Sequence, residues 1–263
     1  MTKVFVIGAG YWGRNLIRNF HELGALAGIC DNDNAELATY RETYPGVPTC
    51  TDIDEALADS AAAVAVATPA STHGDVVERA LSVGKHVFVE KPLCLDLNQG
   101  FELKRQSEEQ DRTLMVGHLL LYHPAFRALK SYIAEGRIGQ LRYIYSNRAS
   151  LGKIRQEENA LWSFAPHDIS MILDLTETMP ARLVSNGGTY LSPSVADTSL
   201  THMTFAEGLQ AHIFVSWLHP YKDHRMVVIG SDGMAEFNDA APKEKKLLAY
   251  DHKIGWEGSI PTV

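Results

Sequence analysis

The 263-residue sequence has little cysteine, no long apolar run and no excess of positive charge. Its three cysteines (Cys30, Cys50 and Cys94) form no CxxC pair and have no histidine at metal-ligand spacing, so we expect free thiols in a reducing compartment and no metal. No apolar stretch is long enough to span a bilayer, and the chain enters a strand directly, without a signal peptide. A net charge of −8 argues against a nucleic-acid partner. The expectation is a cytoplasmic globular protein that binds neither membrane nor nucleic acid.

The sequence does contain a glycine turn between a predicted strand and a predicted helix. Lys3–Ile7 is a short apolar run, GxGxxG follows as Gly8, Gly10 and Gly13, and a helical pattern begins at Asn15. The first glycine permits the turn, the second lets the backbone approach a pyrophosphate, and the third lets helix and strand pack closely. The helix N-terminus offers N–H groups and a partial positive charge to the phosphates. The motif predicts a dinucleotide cofactor, with contacts from Gly8, Gly10, Tyr11, Trp12 and Gly13.

An acidic residue follows the second predicted strand. Ala25–Cys30 is apolar and ends at Asp31. A carboxylate at this place binds the adenosine ribose hydroxyls and repels a 2′-phosphate, and Asp33 adds to the repulsion. The predicted cofactor is therefore NAD rather than NADP. The alternative is that Asp31 only caps the helix predicted over residues 34–44.

A later predicted strand, Val87–Val89, ends in Glu90, Lys91 and Pro92. A lysine at the carboxyl end of a buried parallel strand lies where open α/β sheets bind their ligands. The alternative is a solvated Glu-Lys pair beside a turn-forming proline. The glycine turn, which places a cofactor at the same edge of the sheet, favours a site residue.

The order of elements predicts two domains. Strands and helices alternate up to residue 120, which indicates a doubly wound parallel sheet, the Rossmann arrangement. Beyond it come a helix from His123, a strand Leu141–Arg148, a helix Pro166–Leu175 and five successive strands with hairpin signals. The predicted class is α/β: residues 1–120 form the N-terminal parallel (Rossmann) domain, and residues 121–263 a C-terminal α+β domain on an open, mostly antiparallel sheet.

The predicted C-terminal sheet is apolar on both faces. Ile213, Val215 and Trp217 lie on one side, and Phe214, Ser216 and Leu218 on the other. A sheet that is apolar on both sides needs a second cover, so we expect a homodimer or homotetramer that assembles through this sheet.

Together these motifs resemble the Gfo/Idh/MocA oxidoreductases. The resemblance is carried by Gly8–Gly13, Asp31, Ala67-Thr68-Pro69 with His73, Glu90-Lys91-Pro92 and the C-terminal sheet. In that family the lysine of Glu-Lys-Pro and a histidine at the start of a second-domain helix face the nicotinamide and the substrate hydroxyl. His167 matches that histidine. The resemblance thus implies Lys91 and His167 as catalytic residues and a cis Lys91–Pro92 bond. It adds as cofactor contacts Thr68, Pro69, His73, Glu90 and Lys91.

Departures from the common family pattern narrow the substrate. Ser163 stands where many members carry an aspartate and Leu121 where many carry an arginine, which disfavours the polyol and simple-sugar branches. Gly-Tyr-Trp-Gly, Gly152–Arg155 and Leu161–Asp168 resemble the nucleotide-sugar branch instead. The implied activity is NAD-dependent oxidation of a sugar secondary hydroxyl to a ketone, at C3 of a UDP-N-acetylhexosamine such as UDP-N-acetylglucosamine. The alternatives are a dehydrogenase of a free sugar, inositol or another cyclic polyol, and a non-catalytic NAD-binding regulator.

The expected chemistry assigns roles to both catalytic candidates. His167 suits a general base and Lys91 an oxyanion stabiliser, although either could take the proton.

Five residues are candidate substrate contacts, each with an alternative. Arg148 and Arg155, with Lys153, form a basic cluster that suits a diphosphate, or a solvated loop. Trp162 is expected either to stack on a base or to pack in the core. His118 is expected either to contact the substrate directly or to pack behind the residues that do. Asp168 orients His167, binds a sugar hydroxyl or is a carboxylate at a helix N-terminus.

Overall fold

The structure is a computed structural model that describes residues 2–152, 154–156, 158–252 and 254–263. It divides into two compact units, of which the first ends at Gly117 and the second begins at His118. The first contains a six-stranded parallel sheet and the second a seven-stranded, mostly antiparallel sheet. The predicted fold class is confirmed.

The first unit alternates strands and helices. In chain order these are β1 (Val4–Ile7), α1 (Gly13–Glu22), β2 (Leu26–Cys30), α2 (Asn34–Thr43), β3 (Thr49–Cys50), α3 (Ile53–Ala58), β4 (Ala63–Val66), α4 (Ala70–Ser82), β5 (His86–Val89), α5 (Leu97–Glu109) and β6 (Leu114–Val116). The strand order is β3-β2-β1-β4-β5-β6, and every neighbouring pair is parallel. The order reverses between β1 and β4, and open α/β sheets bind their ligands at the carboxyl ends beside such a reversal.

Helices cover both faces of the parallel sheet, which is why its central strand is apolar throughout. All four residues of β1 are buried. One core contains Ile17 of α1 and Leu37 of α2, and the other contains Leu81 of α4 and Leu103 of α5. The two-residue strand β3 was not predicted, because so short a segment carries no hydrophobic period.

The second unit is built on a sheet with two helices. After a 3₁₀ turn (Leu119–Tyr122) it contains α6 (Pro124–Ala134), β7 (Leu141–Ala149), α7 (Ala160–Thr176), β8 (Arg182–Gly188), β9 (Thr198–Thr204), β10 (Gln210–Ser216), β11 (Asp223–Gly230), β12 (Gly233–Asn238), β13 (Leu247–Asp251), β14 (Gly255–Glu257) and β15 (Ile260–Thr262). The seven-stranded order is β13-β12-β11-β7-β10-β9-β8, while β14 and β15 form a separate hairpin. Only the β7–β10 pair of the large sheet is parallel.

Helix α7 begins earlier than the sequence analysis predicted. The expected start was Pro166, but Asn159 caps the helix by accepting the Trp162 backbone N–H at 3.0 Å, and Pro166 lies inside it. Proline is favoured in the first helical turn and disfavoured in the interior, which explains the error. His167 therefore lies about two turns from the helix start rather than at it.

The faces of the large sheet differ in cover. Ile144 of β7 and Ile213 of β10 are fully buried in the core that includes α6 and α7. On the opposite face Tyr145 and Phe214 are half-buried, and Leu200 of β9 is exposed.

Two negative findings hold for the described residues. No helix among them has both the length and the apolar character needed to cross a membrane. Nor do these residues contain a group of three or more His, Cys, Asp or Glu side chains placed to hold a metal ion.

Candidate active site

The glycine turn after β1 packs tightly on two sides and is open on a third. Gly8 has φ +98°, and a Cβ there would lie 2.6 Å from the Ala67 carbonyl carbon. A Cβ on Gly13 would lie 1.9 Å from the Gly8 oxygen, whereas one on Gly10 would meet nothing within 4 Å. Gly8 and Gly13 are thus required by the packing of the turn. Gly10 leaves open space beside the backbone, as a pyrophosphate would need.

Two side chains from neighbouring elements hold this turn in place. Asp31 accepts the Ala9 N–H at 2.7 Å through Oδ2 and the Asp33 N–H at 2.9 Å through Oδ1. Tyr40 of α2 is buried and donates its hydroxyl to the Ala9 oxygen at 2.7 Å. Asp33, not Asp31, caps α2, so the alternative role considered for Asp31 is wrong. Each Asp31 oxygen keeps acceptor capacity for a ribose hydroxyl.

A cavity of about 750 Å³ lies against this turn. Predicted cofactor residues that line it are Gly8, Gly10, Tyr11, Asp31, Thr68 and Pro69. The open side of Gly10, the helix N-terminus at Gly13 and the fixed carboxylate together fit a dinucleotide with free ribose hydroxyls.

Sequence reasoning missed the far side of this cavity. Thr51 and Asp52, which follow the short strand β3, line it, as do three residues of α4: Thr72, Val76 and Arg79. The α4 residues are spaced i, i+4 and i+7, which places them on one helix face. That spacing could have predicted a shared face for the α4 residues. Thr51 and Asp52 could be assigned to the cavity only once the strand order of the sheet was known.

The Glu-Lys-Pro segment follows β5. The Lys91–Pro92 bond is cis, as expected. Burial raises the pKa of Glu90, and hydrogen bonds from the Trp12 side chain and the Lys91 backbone oppose that shift. The Trp12 indole thus binds Glu90, and the cofactor contact expected of Glu90 stays a prediction.

His73 does not play the role that the sequence suggested. Only 2% of the residue is exposed, and it is absent from the cavity lining. Its Nδ1 lies 2.7 Å from the Pro92 oxygen and its Nε2 lies 2.8 Å from the Thr68 oxygen. Because both ring nitrogens are engaged by backbone carbonyls, the prediction of a direct cofactor contact is wrong.

In the second unit, two predicted substrate residues bind each other instead. Arg148 Nε donates to Asp168 Oδ2 at 2.6 Å, and the two side chains are only 5% and 1% exposed. Asp168 also accepts the Ser146 hydroxyl at 2.5 Å, and Arg148 Nη1 donates to Asp239 at 3.0 Å. This buried cluster corrects the sequence analysis: Arg148 does not reach a diphosphate, and Asp168 neither binds a sugar hydroxyl nor lies at a helix N-terminus.

The other predicted residues of this unit are more accessible. Trp162 is 41% exposed in the first turn of α7, which contradicts the core alternative. Arg155 is exposed and pairs with Glu158 at 3.0 Å, whereas Lys153 lies outside the described residues. His118 directly precedes the 3₁₀ turn. The roles of these side chains in substrate binding stay predictions, as do the catalytic roles of Lys91 and His167.

Comparison with known proteins is consistent with this architecture. Residues 2–118 match the model of the GFO/IDH/MocA oxidoreductase family, NAD-binding Rossmann fold, and residues 126–236 match the GFO/IDH/MocA C-terminal domain. The UDP-N-acetylglucosamine 3-dehydrogenase of Acidithiobacillus ferrooxidans is 29% identical over 98% of this chain and 80% of its own. Its solved structure superposes with a TM-score of 0.82 at 27% identity, covering 95% of this chain and 80% of that one.

A second relative acts on a different substrate. The NAD-dependent scyllo-inositol 2-dehydrogenase of Bacillus subtilis is 29% identical over 65% of this chain and 53% of its own. Both domain matches have the same family name, and together they cover most of the sequence. The chain is an oxidoreductase of the Gfo/Idh/MocA family.

Proposed function

We propose that the chain is an NAD-dependent dehydrogenase that oxidises the C3 hydroxyl of UDP-N-acetylglucosamine or a close UDP-N-acetylhexosamine. One observation carries the proposal: similarity to a UDP-N-acetylglucosamine 3-dehydrogenase extends over 98% of the chain. It therefore includes the second unit, where the proposed substrate contacts lie, and not only the cofactor-binding sheet that many dehydrogenases share.

The preference for NAD rests on Asp31. Its carboxylate is fixed at the cavity by the backbone N–H groups of Ala9 and Asp33. A fixed negative charge accepts ribose hydroxyls and repels a 2′-phosphate. NAD supplies the hydride acceptor, the nicotinamide ring.

The chain's own residues supply the proton chemistry. His167 takes the proton from the hydroxyl oxygen on a ring nitrogen as the hydride leaves the carbon that bears this hydroxyl, because a neutral imidazole is a base near neutral pH. Lys91 donates a hydrogen bond to the same oxygen and stabilises the negative charge that develops there.

Because Arg148 is buried in an ion-pair cluster, fewer residues remain as candidate contacts for the nucleotide. Trp162 offers an exposed aromatic face that could stack on uracil. Arg155 offers an exposed guanidinium for the diphosphate. UDP alone should therefore protect the protein against heat, and a UDP-independent melting temperature would count against the nucleotide part of the substrate.

The experiment is a scan of NADH formation with UDP-N-acetylglucosamine, UDP-N-acetylgalactosamine, UDP-glucose and myo-inositol, on native protein and variants. Lys91→Ala and His167→Ala should each lower turnover by about a hundredfold or more while NAD binding survives. Lys104→Ala, an exposed lysine of α5, is the matched control and should keep native turnover. Near-native turnover in either test variant refutes that residue's role.

A second candidate, oxidation of a free cyclic polyol, is favoured by the similarity to scyllo-inositol 2-dehydrogenase. The same scan separates the two functions. Turnover of inositol without turnover of any UDP-sugar would replace the first proposal with the second.

A further inference from the structure

His73 joins two turns at the carboxyl edge of the parallel sheet. It lies in the first turns of α4, with Nδ1 2.7 Å from the Pro92 oxygen and Nε2 2.8 Å from the Thr68 oxygen. Pro92 directly follows Lys91, and Thr68 lines the cofactor cavity. One buried ring therefore connects the turn that carries the lysine with a turn that lines the cofactor site.

Both partners of the ring are backbone carbonyl oxygens, which can only accept hydrogen bonds. His73 is 2% exposed, so both contacts lie in a site that excludes water, where losing a hydrogen bond is costly.

Further contacts link the two turns. Glu90, which directly precedes Lys91, interacts electrostatically with both His73 and Lys91. Thr72, the neighbouring residue of α4, adds hydroxyl contacts of 2.8 Å to the Thr68 hydroxyl and the Pro69 oxygen, so the Thr68 turn is held at two points.

We propose that His73 is a positioning residue for Lys91, and that it acts through its ring contacts to the Pro92 and Thr68 carbonyls. This proposal rests on the proposed function in one respect, the catalytic role of Lys91. The ring itself touches neither substrate nor cofactor cavity.

The positioning role is tested with two replacements that each keep one donor. The Asn amide nitrogen falls near the place of Nδ1 and the Gln amide nitrogen near that of Nε2, so His73→Asn keeps the Pro92 contact and His73→Gln keeps the Thr68 contact. We expect His73→Gln to lower turnover by about tenfold or more, and His73→Asn to stay within about threefold of native.

A second readout reports on Lys91 without any substrate. The rate at which a small amine-reactive reagent labels Lys91, followed by mass spectrometry, should change by about threefold or more in His73→Gln and remain near native in His73→Asn. Val77→Ala, which opens a cavity in the core on the same helix, is the control for lost stability and should leave the labelling rate unchanged. Equal effects of the two His73 variants, or an unchanged labelling rate in His73→Gln, overturn the positioning role.

The two proposals fail in different ways. If no UDP-sugar is oxidised but the labelling results are as expected, the substrate proposal falls and His73 keeps its role. If UDP-N-acetylglucosamine is oxidised and the labelling rate of Lys91 is the same in native protein and His73→Gln, only the role of His73 falls.

Discussion

Replacing Arg148 with methionine should strongly destabilise the second unit. The guanidinium contacts Asp168 at 2.6 Å and Asp239 at 3.0 Å, and it is 5% exposed. Burial alone would lower the pKa of Arg148, but the Asp168 and Asp239 carboxylates raise it above its usual value. Asp168 therefore depends on this cation for compensation, whereas Asp239 is also paired with His224.

The expected magnitude follows from that burial. Breaking a buried ion pair by removing one partner costs about 3–5 kcal/mol, because the other charge stays buried without compensation. For a domain of this size each kcal/mol lowers the melting temperature by about 2–4 °C, so Arg148→Met should lower it by about 6–20 °C.

Differential scanning calorimetry at neutral pH is the assay, with Arg142→Met as control. Arg142 lies on the same strand but is exposed, so its loss should change stability by no more than about 0.5 kcal/mol. Arg148→Lys should fall between native and Arg148→Met, because it keeps the charge and loses the forked donors. Equal melting temperatures for Arg148→Met and Arg142→Met would refute the reasoning.

Three further predictions concern the cofactor turn and the buried cluster. The new Cβ of Gly10→Ala meets nothing within 4 Å, so this variant should keep native stability and lose NAD affinity in calorimetric titration. The new Cβ of Gly13→Ala would lie 1.9 Å from the Gly8 oxygen, so this variant should lose about 1–3 kcal/mol or more of stability in urea unfolding. Equal stability of the two variants would contradict this. Asp31→Ala should weaken NAD binding by about 1.5–3 kcal/mol and NADP binding by less, and equal losses would remove the selectivity argument. Burial alone would raise the pKa of Asp239, but hydrogen bonds from His224 and Arg148 hold it below its usual range. The stability that the Asp239 carboxylate contributes to the fold is therefore complete above the unfolded-state pKa of about 3.9 and is lost as pH falls below it. The difference in stability between native protein and Asp239→Asn should accordingly shrink in acid. A difference that stays constant with pH would contradict this.

Much of the fold could be predicted because its signals are local. Strand-helix alternation, the glycine turn and the hairpins at Glu207-Gly208 and Asp232-Gly233 each depend on a few adjacent residues. The start of α7 could not be predicted by the same rules. Pro166 looks like a first-turn proline, and the packing of α7 against β10 and β7 keeps the helix intact through it.

The candidate site was harder to predict, because its charged residues have partners far away in sequence. Arg148 and Asp168 look like surface charges one by one, yet their pairing depends on the contact between β7 and α7. A signal did exist: Arg148 has the same strand parity as the buried Ile144 and Ser146, so it points inward. His73 gave no such signal, because its two partners belong to turns that only the parallel sheet brings together.

The central claim is hydride removal from C3 of a UDP-N-acetylhexosamine. The direct measurement uses UDP-N-acetylglucosamine deuterated at C3, with NAD and native protein, and follows the label by mass spectrometry. The account predicts that deuterium appears in the reduced cofactor, while substrate deuterated at C4 gives unlabelled NADH. Reduced cofactor without label from the C3-deuterated sugar, or no reduced cofactor at all, would contradict it.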